Sequence, residues 1–249
     1  MALAIASGVS EVCVRKVPKI AILCSGNELV VPGVRPGNGQ IISSNGATIS
    51  SLVTCSGGVA IDLGIISDDK QHIKNSVSEL NDVDLLVTVG GASVGKHDLV
   101  QSALTELGFN LNFWKVALRP GKPAFFGNLS SLPILGFPGN PVSAFICAIL
   151  FLRPAIKSLL GSKNIIDTPL KAKLGRDLPA NDHREEYLRS KLEIDSGEMI
   201  TTPFSVQDSG QLSLLSEAQC LTIREANAPN AIKGDLVNIL PFNLPLSGL

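Results

Sequence analysis

The residues best suited to chemistry lie at 90–98, where Gly-Gly-Ala-Ser-Val-Gly-Lys-His-Asp follows the apolar run 84–89. A buried strand that ends in glycines and then opens a helix leaves backbone N–H groups facing outward, where they can bind a phosphate. Asp98 then falls in the first helical turn, and its carboxylate repels phosphate unless a cation lies between them. The loop therefore predicts a metal-assisted phosphate site. The alternative is a structural turn in which Asp98 only stabilises the helix start.

Acidic residues also follow two other apolar runs, at 20–24 and 59–66. Glu28 comes after the first run, and the pair Asp68 and Asp69 comes after the second. If these runs are parallel strands, their carboxyl ends meet at one edge of the sheet, so Glu28, Asp68 and Asp98 should converge there. Oxygen ligands beside a phosphate loop are what Mg²⁺ requires. One of Asp68 and Asp69 is also expected to cap the helix that follows.

Two proline-glycine loops add further candidates. The segment Arg119-Pro-Gly-Lys-Pro123 places two cations beside a turn of fixed shape, either as an anion site or as a solvated basic turn. In the segment 137–144, Phe-Pro-Gly-Asn-Pro-Val-Ser-Ala, Asn140 is a suitable N-cap, Pro141 suits the first helical position and Ser143 falls in the first turn. Whether that helix end also binds an anion stays open.

The elements that position these residues alternate between strand and helix. The patterns predict strands at 20–24, 59–66 and 84–89 and near 113–119, 123–127 and 133–136. They predict helices over 44–56, 70–80 and 96–107 and from about residue 141. Continuous apolar strands separated by helices indicate an α/β fold, a three-layer, mostly parallel sheet covered on both faces. After the linker 162–168, alternating residues predict a small all-β, barrel-like domain.

Composition narrows the class of protein. A net charge of −1 gives no reason to expect nucleic acid or a membrane as partner, and five scattered cysteines without a C-x-x-C pair favour free thiols over a zinc site. The apolar stretch 142–160 is interrupted by charges and is expected to be a core helix. A cytoplasmic protein is therefore predicted.

Five motifs together resemble those of the molybdopterin molybdenumtransferases, the molybdenum insertases related to the E domain of gephyrin. They are Ser-Gly-Asn-Glu-Leu at 25–29, Gly-Ile-Ile-Ser-Asp-Asp at 64–69, the loop 90–98, Phe-Trp-Lys-Val-Ala-Leu-Arg-Pro-Gly-Lys-Pro at 113–123, and 137–144. The resemblance continues at 183–189 and 207–213, so it covers essentially the whole chain. It implies a molybdopterin-binding domain at 18–162, a C-terminal β domain at 168–249 and, at 1–17, the remnant of a preceding domain or linker.

The resemblance also implies an activity: insertion of molybdate into adenylylated molybdopterin, with Mg²⁺-dependent release of AMP, in a homodimer. It implies that Glu28, Asp68 and Asp98 are catalytic and that Asp68 and Asp98 hold Mg²⁺. The substrate-binding residues belong to the glycine loop, the basic turn, the start of the helix at 141 and the C-terminal domain. The resemblance implies Gly90, Gly91, Ser93, Gly95, Lys115, Arg119, Lys122, Pro123, Pro138, Asn140, Pro141, Ser143, Arg184 and Ser209.

The chain departs from the family pattern at three positions. Asn27 and Ser43 stand where the family usually has acids, which reduces the local negative charge, and Arg119 stands where lysine is common. The family also carries further N-terminal domains, so the chain is expected to be a fragment or a split-gene product. Two alternatives remain: a relative with adenylyl or pyrophosphatase chemistry, which the β domain disfavours, and a non-catalytic molybdopterin-binding or scaffolding module.

Overall fold

A computed structural model of the chain describes residues 2–90 and 99–242. The strands are β1 (Lys19–Ser25), β2 (Leu29–Val30), β3 (Ile41–Ile42), β4 (Val59–Ile66), β5 (Leu85–Val89), β6 (Phe109–Trp114), β7 (Leu118–Arg119), β8 (Phe125–Leu129), β9 (Leu132–Phe137), β10 (Leu170–Leu174), β11 (Glu185–Asp195), β12 (Glu198–Pro203), β13 (Cys220–Arg224) and β14 (Leu236–Pro241). The helices are α1 (Ala2–Ala6), α2 (Asn45–Cys55), α3 (Lys70–Ser78), α4 (Leu99–Glu106), α5 (Pro141–Cys147), α6 (Arg153–Leu159) and α7 (Leu212–Glu217), with a π-helical segment, Ala148–Leu152, joining α5 to α6.

The first sheet has the order β4-β1-β5-β9-β8-β6. Strands β4, β1, β5 and β9 run parallel, whereas β8 is antiparallel to both of its neighbours. Every residue of β5 is buried, as expected for a central strand covered on both faces. This sheet confirms the predicted mostly parallel α/β architecture.

Helices cover both faces of the first sheet and create two cores. On one face, α2 and the α5–α6 helix pack through residues such as Val53 and Leu152. On the other face, α3 and α4 pack through residues such as Ile73 and Leu104. The structure is therefore three-layered, as predicted.

The stretch Pro141–Leu159 is long and apolar enough, by length and composition alone, to cross a membrane. Half of it is buried inside the protein, and it packs on both sides. Ile156 belongs to the core of the first sheet, whereas Val142 and Ile146 pack against Leu215 and Leu221 of the following unit. These contacts are those of the core helix that the sequence predicts.

The second sheet has the order β12-β10-β14-β13-β11-β7, and an additional pairing of β11 with β12 closes five of its strands into a barrel. The barrel core includes Leu174, Leu188 and Ile239. Its sixth strand, β7, lies before the barrel in the sequence and pairs parallel with β11 through Leu118 and Arg119.

One of the local predictions was wrong. The strand predicted near 113–119 is divided into β6 and β7, because Lys115 adopts a left-handed backbone conformation with φ of 65° and turns the chain. The predicted barrel-like β domain is confirmed, and it also carries the short helix α7, whose Leu215 packs against α5. In the described residues, the helix predicted over 96–107 begins at Leu99; residues 91–98 lie outside the described part of the chain.

Candidate active site

The carboxyl ends of four parallel strands meet at one edge of the first sheet. Ser25 is in register with Ile66, and Val89 is in register with both Cys24 and Phe137. The segments that follow these strands therefore lie side by side. They contain Glu28 and Asp68, which the sequence predicts to converge at one edge, together with Gly90 and the start of α5. Asp98, Gly91, Ser93 and Gly95 lie outside the described residues.

Asp68 and Asn27 join two of these segments. The backbone N–H of Asn27 donates to a carboxylate oxygen of Asp68 over 3.2 Å, and the backbone N–H of Asp68 donates to Asn27 Oδ1 over 3.0 Å. Asp69, not Asp68, caps α3, since its carboxylate accepts a hydrogen bond from the backbone N–H of His72 at 2.9 Å. Asp68 therefore does not cap α3, and its carboxylate lies beside Asn27 at the sheet edge.

Glu28 is exposed and lies over the turn after β1. The Glu28 side chain folds back over this turn, since its carboxylate lies 2.8 Å from where a Cβ on Gly26 would be. The backbone of Glu28 is fixed because its carbonyl accepts a hydrogen bond from the Ile41 N–H at 2.8 Å. The turn thus presents the carboxylate at the same edge as Asp68.

Gly90 begins the predicted phosphate loop in a conformation that other residues rarely adopt. Its φ is 96°, and a Cβ at this position would lie 2.2 Å from the Ser25 carbonyl oxygen. Ser25 itself is 3 % exposed, and its hydroxyl has no hydrogen-bond partner among the described residues. Sequence reasoning missed this buried hydroxyl, because a serine after an apolar strand is ordinary turn chemistry.

The turn before α5 forms hydrogen bonds with α2 on one side and with the barrel on the other. Asn45 Nδ2 donates to the Gly139 carbonyl at 2.8 Å, and Pro141 occupies the first helical turn. The predicted capping by the Asn140 side chain was wrong, although Asn140 does occupy the N-cap position. Its Nδ2 instead donates to Ser209 Oγ at 2.9 Å, because the barrel brings Ser209 close to this turn.

Ser209 makes a second contact with α5. Its carbonyl accepts a hydrogen bond from the Val142 N–H at 3.3 Å. Ser143, in the same helical turn, is 5 % exposed, and Pro138 is buried before it. The barrel therefore contacts this part of the sheet edge through Ser209.

The predicted cations lie on the segment that leads to the barrel. Lys115 and Lys122 are exposed, and the Lys115 ammonium lies 3.9 Å from the centre of the Trp114 ring. The Val116 N–H donates to the Lys122 carbonyl at 3.0 Å, which shapes the turn before the half-buried Pro123. These residues form a positively charged turn, as the sequence indicates.

Arg119 and Arg184 share the carboxylate of Asp182. Arg119 Nη2 and Arg184 Nη2 each lie 2.7 Å from Asp182 Oδ2, and Arg119 Nη1 lies 3.5 Å from Glu186. The hydrogen bonds from Arg184 hold the pKa of Asp182 well below its usual range. Sequence reasoning missed both acids, because nothing in the local pattern shows which cations they reach.

A cavity of about 450 Å³ lies beside this group and is lined by Arg119, Arg176, Asp182, Glu186 and Gln207, among others. Ser209 and Arg184 therefore lie in different surroundings: Ser209 contacts the start of α5, whereas Arg184 joins Arg119 through Asp182. Within residues 2–90 and 99–242, no group of three His, Cys, Asp or Glu side chains is placed to hold a metal. The predicted ligand Asp98 is not among those residues.

The fold and the site define a class of protein: a parallel α/β ligand-binding unit with its site at the carboxyl edge, closed by a small barrel. The chain belongs to the family described as "Probable molybdopterin binding domain", whose model matches residues 21–158. A second model, "MoeA C-terminal region (domain IV)", matches residues 171–242.

Named relatives extend this finding. The molybdopterin molybdenumtransferase of Haemophilus influenzae is 32% identical over 95% of this chain and 59% of its own length. The molybdenum cofactor synthesis protein cinnamon of Drosophila melanogaster is 33% identical over 91% of this chain and 39% of its own length. The chain thus spans less than two thirds of the length of each of these two relatives.

A solved structure confirms the fold. The molybdopterin biosynthesis MoeA protein of Pyrococcus horikoshii superimposes with a TM-score of 0.83 at 29% sequence identity. The match covers 98% of this chain and 59% of that protein. Both the sheet and the barrel therefore belong to one known arrangement.

Proposed function

We propose that this chain is the part of a molybdopterin molybdenumtransferase that inserts molybdate into adenylylated molybdopterin and releases AMP. One observation supports this most directly: the barrel residue Ser209 hydrogen-bonds to the start of α5 at the edge that also carries Asp68 and Gly90. Asp68, the turn at Gly90 and the barrel loop that carries Ser209 thus lie at the same edge of the sheet. The names of the relatives support the same activity.

The donor set suits Mg²⁺. Asp68 forms no ion pair with any described lysine or arginine, and hard oxygen ligands of this kind are what Mg²⁺ prefers. In the proposal, Asp68 and Asp98 hold the ion, and Glu28 adds negative charge at the same edge. When bound, Mg²⁺ supplies charge neutralisation at the pyrophosphate of the adenylylated substrate.

The other residues bind and orient the two substrates. The loop that begins at Gly90 receives the terminal phosphate of the pterin, and the start of α5, from Pro138 to Ser143, lines the neighbouring wall. Lys115, Arg119 and Lys122 provide positive charge for molybdate and for the leaving phosphate. In this proposal, Asp182 orients Arg119, whose side chain is 45 % exposed and therefore accessible to an anion.

The proposal extends to the assembly and its place in the cell. We propose a cytoplasmic homodimer in which residues 18–162 bind molybdopterin and residues 168–249 complete the molybdate site, with 1–17 leading from a preceding domain. Sedimentation at micromolar concentration tests the dimer. A monomer at all concentrations would contradict that part of the proposal and leave the site assignment to be judged on its own assay.

The test is AMP release from adenylylated molybdopterin in the presence of Mg²⁺ and molybdate. The proposal expects molybdate-dependent AMP, and a loss of about 10²-fold or more in Asp68→Ala and in Asp98→Ala, because each removes charge stabilisation at the reacting phosphate. Glu193→Gln, which neutralises an exposed barrel acid, serves as the control and should retain activity. Tight binding of molybdopterin without any AMP would contradict the transferase and favour a binding module.

A further inference from the structure

One charged side chain in the barrel is buried without forming an ion pair among the described residues. Arg189 lies on β11 and is 1 % exposed, and it forms no ion pair within the part of the chain that the structure describes. A buried guanidinium is costly unless its N–H groups are all directed at acceptors. The acceptors around Arg189 therefore show what this charge is used for.

The acceptors come from a single loop, residues 204–211, between β12 and α7. Arg189 Nη1 donates to the Gln211 carbonyl at 2.8 Å, and Nη2 donates to the Asp208 carbonyl at 2.9 Å and, more weakly, to the Val206 carbonyl at 3.5 Å. These carbonyls stand on the inner side of the loop. The backbone carbonyls of the loop thus surround the guanidinium and accept its hydrogen bonds.

Gln207 fastens the same loop to the backbone of β11. Its Oε1 accepts a hydrogen bond from the Arg189 N–H at 3.1 Å, and its Nε2 donates to the Arg189 carbonyl at 3.0 Å. The Phe204 N–H also donates to the Arg189 carbonyl at 3.0 Å. One strand residue therefore holds the beginning, middle and end of the loop.

The loop carries two residues of the candidate site. Ser209 contacts Asn140 and Val142 at the start of α5, and Gln207 lines the cavity beside Arg119. If the loop moved outward, these contacts would break and Arg189 would lose its acceptors at the same time. The position of the loop is thus coupled to a buried charge.

We propose that Arg189 is a positioning residue for oxyanion binding: its guanidinium fixes loop 204–211 so that Ser209 and Gln207 face the molybdate site. The inference rests on the proposed function, because in that function residues 168–249, which include this loop, complete the molybdate site. Lysine keeps the charge but lacks the planar fork that reaches several carbonyls at once, so it should not replace arginine here.

The test compares Arg189→Lys with Arg153→Lys in the full 249-residue chain. Arg153 is a matched control, because it pairs with the Asp167 carboxylate at 2.6 Å and makes no contact with the loop. The expected result for Arg189→Lys is faster amide hydrogen exchange in 204–211, a KM for molybdate raised about tenfold, and a kcat within about threefold of the parent, because the charged hydrogen bonds that order the loop are weakened. Arg153→Lys should show none of these changes.

Two further measurements separate this inference from the proposed function. Calorimetric titration with molybdate alone and hydrogen exchange need no turnover, so they decide the role of Arg189 even if the parent chain releases no AMP. Unchanged loop exchange and unchanged molybdate affinity would overturn the inference, as would a fall in kcat at constant KM. If Arg189→Lys fails to fold, Gln207→Ala replaces it, because it removes the side-chain hydrogen bonds that join the loop to the β11 backbone. Amide exchange in 204–211 must then become faster, and weaker molybdate binding without faster exchange would overturn the inference.

Discussion

Substituting Gly90 by alanine separates two physical effects at the start of the phosphate loop. The first is the backbone: at φ of 96°, an alanine is strained by about 1 kcal/mol relative to glycine. The second is contact, because the new Cβ would lie 2.2 Å from the Ser25 carbonyl oxygen, which belongs to the backbone of β1 and cannot rotate away. Relief requires the ends of β1 and β5 to separate, and overpacking of this kind costs about 1–3 kcal/mol.

Gly64 provides the matched control. It lies in β4 with φ of 75°, and a Cβ at this position would have no atom within 4 Å. Gly64→Ala should therefore show the backbone strain alone, about 1 kcal/mol, whereas Gly90→Ala should lose about 2–4 kcal/mol in the free energy of unfolding. The difference, about 2 kcal/mol, measures the contact with Ser25.

Urea unfolding followed by the fluorescence of Trp114, the single tryptophan, measures both variants. The comparison requires equal slopes with urea in the three proteins, since a changed slope would mean that the exposed surface had changed. Equal loss of stability in the two variants would refute the reasoning, because it would show that the strands accommodate the extra carbon without cost.

Three further outcomes are expected. Asn27→Asp adds a carboxylate beside Asp68, so the Kd for Mg²⁺ measured by calorimetry should fall. Asp69→Ala removes the cap of α3 and should lower the free energy of unfolding at pH 7; the hydrogen bond from the His72 N–H lowers the pKa of Asp69, so this difference should shrink as the pH falls below about 4, where the carboxyl becomes protonated in the unfolded and then in the folded chain. Burial raises the pKa of the Cys24 thiol to about 11 and that of Cys147 to about 12, so neither should react with a thiol reagent at pH 8 until the protein unfolds.

Two of these have a control in the same chain. Asn112→Asp adds the same charge on β6, at the other side of the sheet, and should leave Mg²⁺ binding unchanged. The exposed Cys13 and Cys55 should react at once in the folded protein. Rapid labelling of Cys147 in the native state would contradict the packing of α5, and a stability difference for Asp69→Ala that grows toward low pH would contradict its role as an ionised cap.

The elements of the first sheet could be predicted because each one satisfies its own local pattern. The run 59–66 is β4 to the residue, and β5 (Leu85–Val89) falls inside the predicted 84–89. In a parallel sheet buried on both faces, the strands are continuous apolar runs, and the glycines and acids that follow mark their ends. The convergence of Glu28 and Asp68 at one edge follows from topology alone, so it needed no knowledge of side-chain contacts.

Contacts that join distant segments could not be predicted in this way. The family pattern marks Asn27 only as a departure that reduces the local negative charge. In the structure, its side-chain amide and its backbone form two hydrogen bonds with Asp68, forty-one residues away. Asn140 was read as a cap, yet its side chain reaches Ser209 on the barrel. Both side chains follow the pattern of their own segment, but their partners depend on how separate segments meet.

The short strand β7 explains much of this difference. It has only two residues, Leu118 and Arg119, which is too short for any periodic signal, and it leaves the first sheet to pair with Glu185 and Glu186 of the barrel. That pairing places Arg119 beside Asp182 and on the wall of the cavity. The pairing of β7 with β11 fixes the backbone of Arg119 on one side of the candidate site. On the other side, the buried Arg189 holds the loop 204–211. The geometry of the candidate site is therefore a property of the junction between sheet and barrel, which no single motif of the sequence encodes.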